Sequence, residues 1–83
     1  MKANLNESAR KVQLADYILA DPELLGGEPV FRGTRVPVAT FFEHLESGCS
    51  LDEFLECFPS VNRDATVAVL MGAEALTLES ARR

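Results

Sequence analysis

Apolar and polar positions change rhythm twice along this chain. Tyr17-Ile18-Leu19-Ala20 is a short β-prone run closed by Asp21-Pro22, a turn signal. After Leu24-Leu25-Gly26-Gly27, residues Val30, Arg32, Thr34 and Val36 alternate with Phe31, Gly33 and Arg35. This predicts a small two- or three-stranded element, 17–20 pairing with 29–36, with Gly26-Gly27 in its connection. Gly33 inside the second run predicts a bulge or tight bend. From Pro37 the period becomes helical. Val38, Phe41, Phe42 and Leu45 take the i, i+3, i+4, i+7 positions of one apolar face, and Gly48 suits a C-cap. Ser50-Leu51-Asp52-Glu53 has the form of a capping box, and Leu51, Phe54, Leu55 and Phe58 form the stripe of a short second helix stopped by Pro59. Asn62 is placed to cap a third helix from Arg63 to about Ser80.

The third helix has a different character. From Ala65 to Ala73 only Thr66 is polar, so the segment is apolar nearly all round and needs cover on more than one side. One side belongs to the domain's own core. A second copy or a partner is expected on the other, at Val69, Gly72, Ala73 and Leu76, with the small residues permitting close approach. The alternative is a helix wrapped by the N-terminal arm and the hairpin. Residues 1–14 are polar with sparse apolar positions and read as a flexible basic arm. The fold class is mainly α: a short N-terminal β-hairpin followed by a trihelical, helix-turn-helix-like bundle, one domain over residues 15–83.

Length and composition sharpen this. A chain of 83 residues is one small domain with a modest core, which makes association with another chain an expectation. Two cysteines, Cys49 and Cys57, read as reduced thiols, and with His44 the lone histidine no zinc site is expected. No apolar run approaches the roughly 18 residues of a membrane span, and the N-terminus lacks a secretory apolar region. The expected setting is cytoplasmic, without membrane contact.

The net charge of −5 is unevenly spread. Residues 1–36 balance five basic against five acidic side chains, and 63–83 balance three against three. Residues 37–62 hold five acids, Glu43, Glu46, Asp52, Glu53 and Glu56, and no lysine or arginine. These carboxylates read as a solvated helical face, not an acid–base pair. His44 has no nucleophile and third partner in a recognisable motif. Gly26–Val38 matches neither phosphate-binding glycine motif. No catalytic residue, cofactor or metal is expected. Arg32 and Arg35 flank the bend at Gly33, and two readings stay open: contact with an anionic partner, or one arginine pairing with a carboxylate such as Glu28 to pin the hairpin to the helices.

The residues Gly27, Pro29, Arg32, Gly33, Thr34, Arg35, Pro37, Gly48, Ser50, Phe58 and Pro59 carry a resemblance. Over roughly residues 16–75 the chain resembles the domain-of-unknown-function family 433, departing from it at Phe58, where tyrosine is usual, and at Val61-Asn62-Arg63-Asp64. The resemblance implies a homeodomain-like trihelical fold. It also implies the role of the antitoxin half of a bacterial toxin–antitoxin pair, of the VapB type that partners PIN-like ribonucleases. No catalytic residue transfers.

Two binding roles follow as expectations. A homodimer brings Arg32, Arg35, Asn62, Arg63 and Thr66 to DNA, with the arm's Arg10 and Lys11 alongside, since one chain with eight basic residues is poor in phosphate contacts. The acidic residues Glu43, Glu46, Asp52, Glu53 and Glu56 face a basic toxin. The competing class is a non-catalytic interaction or scaffold module that touches no nucleic acid.

Overall fold

The computed structural model describes residues 13–82, so most of the predicted basic arm lies outside the described residues. A single 3-10 turn, Leu14–Asp16, leads into strand β1 (Ile18–Leu19). A second such turn, Leu25–Gly27, leads into β2 (Val30–Phe31). Three helices follow: α1 (Val38–Glu46), α2 (Leu51–Cys57) and α3 (Arg63–Ala81). The mainly helical fold with a preceding antiparallel hairpin is as the sequence predicts.

The hairpin is shorter than the alternation suggests. β1 and β2 pair only as Ile18 with Phe31 and Leu19 with Val30. Residues 29–38 instead fold back on themselves. Phe31 N–H donates to Val36 O at 3.0 Å, Val38 N–H donates to Pro29 O at 2.9 Å, and Val30 bridges Pro37. The cause is the turn at Phe31–Thr34, closed by Thr34 N–H donating to Phe31 O at 3.0 Å. Gly33 sits at its third position with φ +83°, where a left-handed backbone is required. A Cβ at Gly33 meets nothing within 4 Å, so substitution there strains only the backbone. Gly33→Ala is therefore expected to lower stability by about 1 kcal/mol, and Gly33→Asn, which tolerates this region, by much less. Urea denaturation of the two variants checks the order.

The helix signals are realised nearly residue for residue. Pro37, extended at φ −65° and ψ 143°, precedes the first turn of α1. Gly48, at φ +103°, ends that helix. Cys49 N–H donates to His44 O and Gly48 N–H to Leu45 O, the paired bonds of a Schellman ending. At α2 the capping box is complete: Glu53 N–H donates to Ser50 Oγ at 3.0 Å, and Ser50 N–H to Glu53 Oε1 at 2.7 Å. At α3, Asn62 Oδ1 accepts from Asp64 N–H at 2.7 Å.

One aromatic cluster joins these pieces. Phe31 from β2, Phe41 from α1 and Phe54 from α2 are fully buried. Phe41 and Phe54 lie edge to face with centroids 4.9 Å apart, and Phe31 meets Phe41 edge to face at 5.9 Å. Val61, Ala65 and Val69 close the cluster from the α3 side. His44 belongs to this packing. Its ring lies edge to face against Phe54 and Phe58, and its Nδ1 is 2.9 Å from Thr40 O.

Candidate functional site

The bend at Gly33 is braced by its own threonine. Thr34 Oγ1 donates to Phe31 O at 2.8 Å and accepts from Val36 N–H at 2.9 Å, so Thr34 locks the tip on both sides. The two arginines then part. Arg32 turns toward the start of the described chain. Its Nε and Nη2 donate to Ala15 O at 3.2 and 2.9 Å, and Nη2 also reaches Ile18 O at 3.4 Å. Its backbone N–H donates to Tyr17 O at 2.7 Å. Arg32 thus ties β2 to the 3-10 turn and to β1 through carbonyl oxygens; it neither pairs with Glu28 nor pins the hairpin to the helices. Arg35, on the other side of the bend, is exposed and makes no ion pair among the described residues.

The start of α3 redistributes the other residues expected at DNA. Asn62 is exposed but its amide oxygen caps the helix. Arg63 Nη1 pairs with Asp52 Oδ1 at 2.6 Å, joining a residue of the predicted basic surface to one of the predicted acidic surface. Both side chains are more than half exposed, so this bond contributes well under about 1 kcal/mol. Thr66 must be corrected. It is wholly buried and its hydroxyl donates to Arg63 O at 2.6 Å, so it cannot reach a base edge from this fold.

Arg32 and Asn62 share one concavity. They line an open cleft of about 270 Å³ with Asp16, Tyr17, Phe31, Ser60 and Ala65, between the first 3-10 turn and the α2–α3 connection. Sequence reasoning left out Asp16, Tyr17 and Ser60, which carry no motif and reach the cleft only through tertiary folding.

All five predicted acidic residues are exposed. Two are engaged locally: Glu53 in the capping box and Asp52 with Arg63. Glu43 and Glu46, three apart on α1, and Glu56 on α2 make no ion pair among the described residues.

Of the residues expected at a dimer interface, two are occupied within the chain. Val69 belongs to the aromatic core cluster. Gly72 faces Leu14, whose Cδ1 would lie 3.2 Å from a Cβ built there. Leu14, assigned by sequence to the arm, thus packs on the body. Ala73 is half-buried and Leu76 is 67% exposed, so only the distal part of that stripe stands open.

The fold and its surfaces define a small trihelical domain with a braced N-terminal hairpin. The chain belongs to the family described as "Protein of unknown function (DUF433)", whose model matches residues 18–71. It is similar to "Uncharacterized protein y4eO" of Sinorhizobium fredii (strain NBRC 101917 / NGR234), 37% identical over 68 residues. That match covers 82% of this chain and 31% of the relative, so the chain spans under a third of that protein's length. No solved structure matches it significantly. No helix among the described residues is long and apolar enough to cross a membrane.

Proposed function

We propose that this chain is a non-enzymatic binding module, the antitoxin half of a toxin–antitoxin pair, and that the acidic surface of α1 and α2 engages a basic partner protein. The observation that carries this reading is the free carboxylates. Glu43, Glu46 and Glu56 are exposed, unpaired among the described residues, and set in a stretch (37–62) with no lysine or arginine. Such a surface steers a positively charged partner into contact and repels nucleic acid. A PIN-like ribonuclease, basic along its substrate path, is the partner that the family resemblance implies.

The DNA-binding reading draws support from the helix–turn–helix order of α2 and α3 and from Arg35. Its other contacts are weakened by their engagements: Arg32 with carbonyl oxygens, Arg63 with Asp52, Thr66 inside the body. Protein binding is therefore the better-supported half of the role.

The test is affinity for the product of an adjoining PIN-like reading frame, measured by calorimetry at two salt concentrations. The triple variant Glu43→Lys, Glu46→Lys, Glu56→Lys is expected to bind at least about tenfold more weakly, with the loss largest at low salt. Glu53 and Asp52 are left untouched so that the capping box and the Arg63 pair stay whole. Undiminished binding by the triple variant at both salts would overturn the assignment. A salt-steep mobility shift of upstream DNA that is lost in Arg35→Ala would favour the DNA reading instead.

A further inference from the structure

α3 carries two apolar stripes on opposite sides. The inner one, Ala65, Val69, Gly72 and Leu76, steps by four, three and four residues and faces the body over its first three members. At 100° per residue, Val67, Met71, Glu74 and Leu78 lie on the far side. Val67 is 39% exposed and Leu78 is 43% exposed. From Glu74 to Arg82 every residue is exposed, so the last turns of α3 stand clear of the body.

We infer that this outer stripe, centred on Leu78, is the docking surface for a second copy of the chain, with the two α3 helices antiparallel. The charge pattern selects the occupant. Glu74 lies four residues before Leu78 and Arg82 four residues after it. With Leu78 of each copy at the twofold axis, Arg82 of one helix stands level with Glu74 of the other, twice over. A parallel pair would set Glu74 against Glu74 and Arg82 against Arg82. A foreign partner of one charge sign would complement only one end, whereas a second copy complements both. Leu78 meets its counterpart at the centre, and Met71, seven residues before it, lies outside the overlap. The shared length, Glu74 to Arg82, is about 12 Å of helix at 1.5 Å per residue, well short of a standard interface. The dimer is accordingly weak and concentration-dependent. This surface is separate from the acidic residues of α1 and α2, and the inference does not rest on their role.

Sedimentation equilibrium of the 83-residue chain over a roughly hundredfold concentration range tests it. The expected result is a monomer–dimer equilibrium that Leu78→Glu abolishes and Leu76→Glu, on the inner stripe, leaves within about threefold. Glu74→Arg and Arg82→Glu each weaken the dimer about tenfold, and the double exchange restores it, which only self-pairing explains. Circular dichroism of each variant confirms an intact helix, as exposed positions allow. A monomer at every concentration overturns the inference. So does a dimer that survives Leu78→Glu, or one that the double exchange fails to restore.

Discussion

Phe54→Ala is expected to leave much of the chain unfolded at room temperature. Phe54 is fully buried, and its ring centroid lies 4.9 Å from both Phe41 and Phe58, 5.6 Å from His44 and 6.3 Å from Phe31. It therefore joins β2, α1 and α2 in one contact set, and among the described residues no other side chain touches so many of the rings. Truncating a buried phenylalanine costs about 3–5 kcal/mol, because a cavity is left as well as lost transfer energy. A domain of this size has a total stability of about 4–12 kcal/mol. The expected loss is thus comparable to the whole at the lower end. Phe42→Ala, at a half-buried position beside Phe41, should cost clearly less. Urea unfolding followed by far-ultraviolet circular dichroism measures both. A Phe54→Ala cost under about 1 kcal/mol would mean that the aromatic cluster is not what unites the three elements.

The second large effect concerns Arg32. If its guanidinium serves the fold, Arg32→Ala should loosen the first 3-10 turn locally and leave the helices intact. Three donor contacts to Ala15 O and Ile18 O are lost at once, and nothing else replaces them. Charged hydrogen bonds contribute about 1.5–3 kcal/mol when shielded, and Arg32 is exposed, so the cost belongs near the lower end. Amide hydrogen exchange should quicken by about tenfold at Tyr17 and Arg32, whose N–H groups hold the turn and the strand pair. Arg35→Ala, on the free side of the bend, should change neither rate. Arg32→Lys should behave nearly as Arg32→Ala, since a point ammonium cannot reproduce the forked contact. Equal exchange rates in Arg32→Ala and the unaltered chain would return Arg32 to the list of residues held ready for an anionic partner.

What was legible in the sequence was whatever depends on neighbours a few residues away. Ser50 and Glu53 announce their reciprocal bonds because both partners lie within one turn. Gly48 and Gly33 announce left-handed positions because only backbone geometry is at stake. The direction of Arg32 was not legible, since its acceptor, Ala15 O, carries no side-chain signal at all. Thr66 was misassigned for a related reason. In a segment apolar on every side, periodicity does not reveal which phase faces the body, and its hydroxyl satisfies itself on Arg63 O within the helix. The same ambiguity put Val69 and Gly72 on a dimer surface when the chain's own β2, α2 and Leu14 cover them. The acidic surface was read correctly as exposed, but the local engagement of Glu53 and Asp52 emerged only from atomic positions.

The contact of Leu14 with Gly72 has a kinetic consequence. Most of the denser element pairings join neighbours along the chain, β1 with β2 and α1 with α2, so these pieces can assemble with short loop closures and little search. Leu14 packs on Gly72 within a seam that joins the first 3-10 turn to α3, two segments far apart in the chain. That seam has nothing to close upon until α3 is seated, so it is the last part to form and the first to reopen. Opening of the first 3-10 turn from α3 is thereby separated from global unfolding of the aromatic centre.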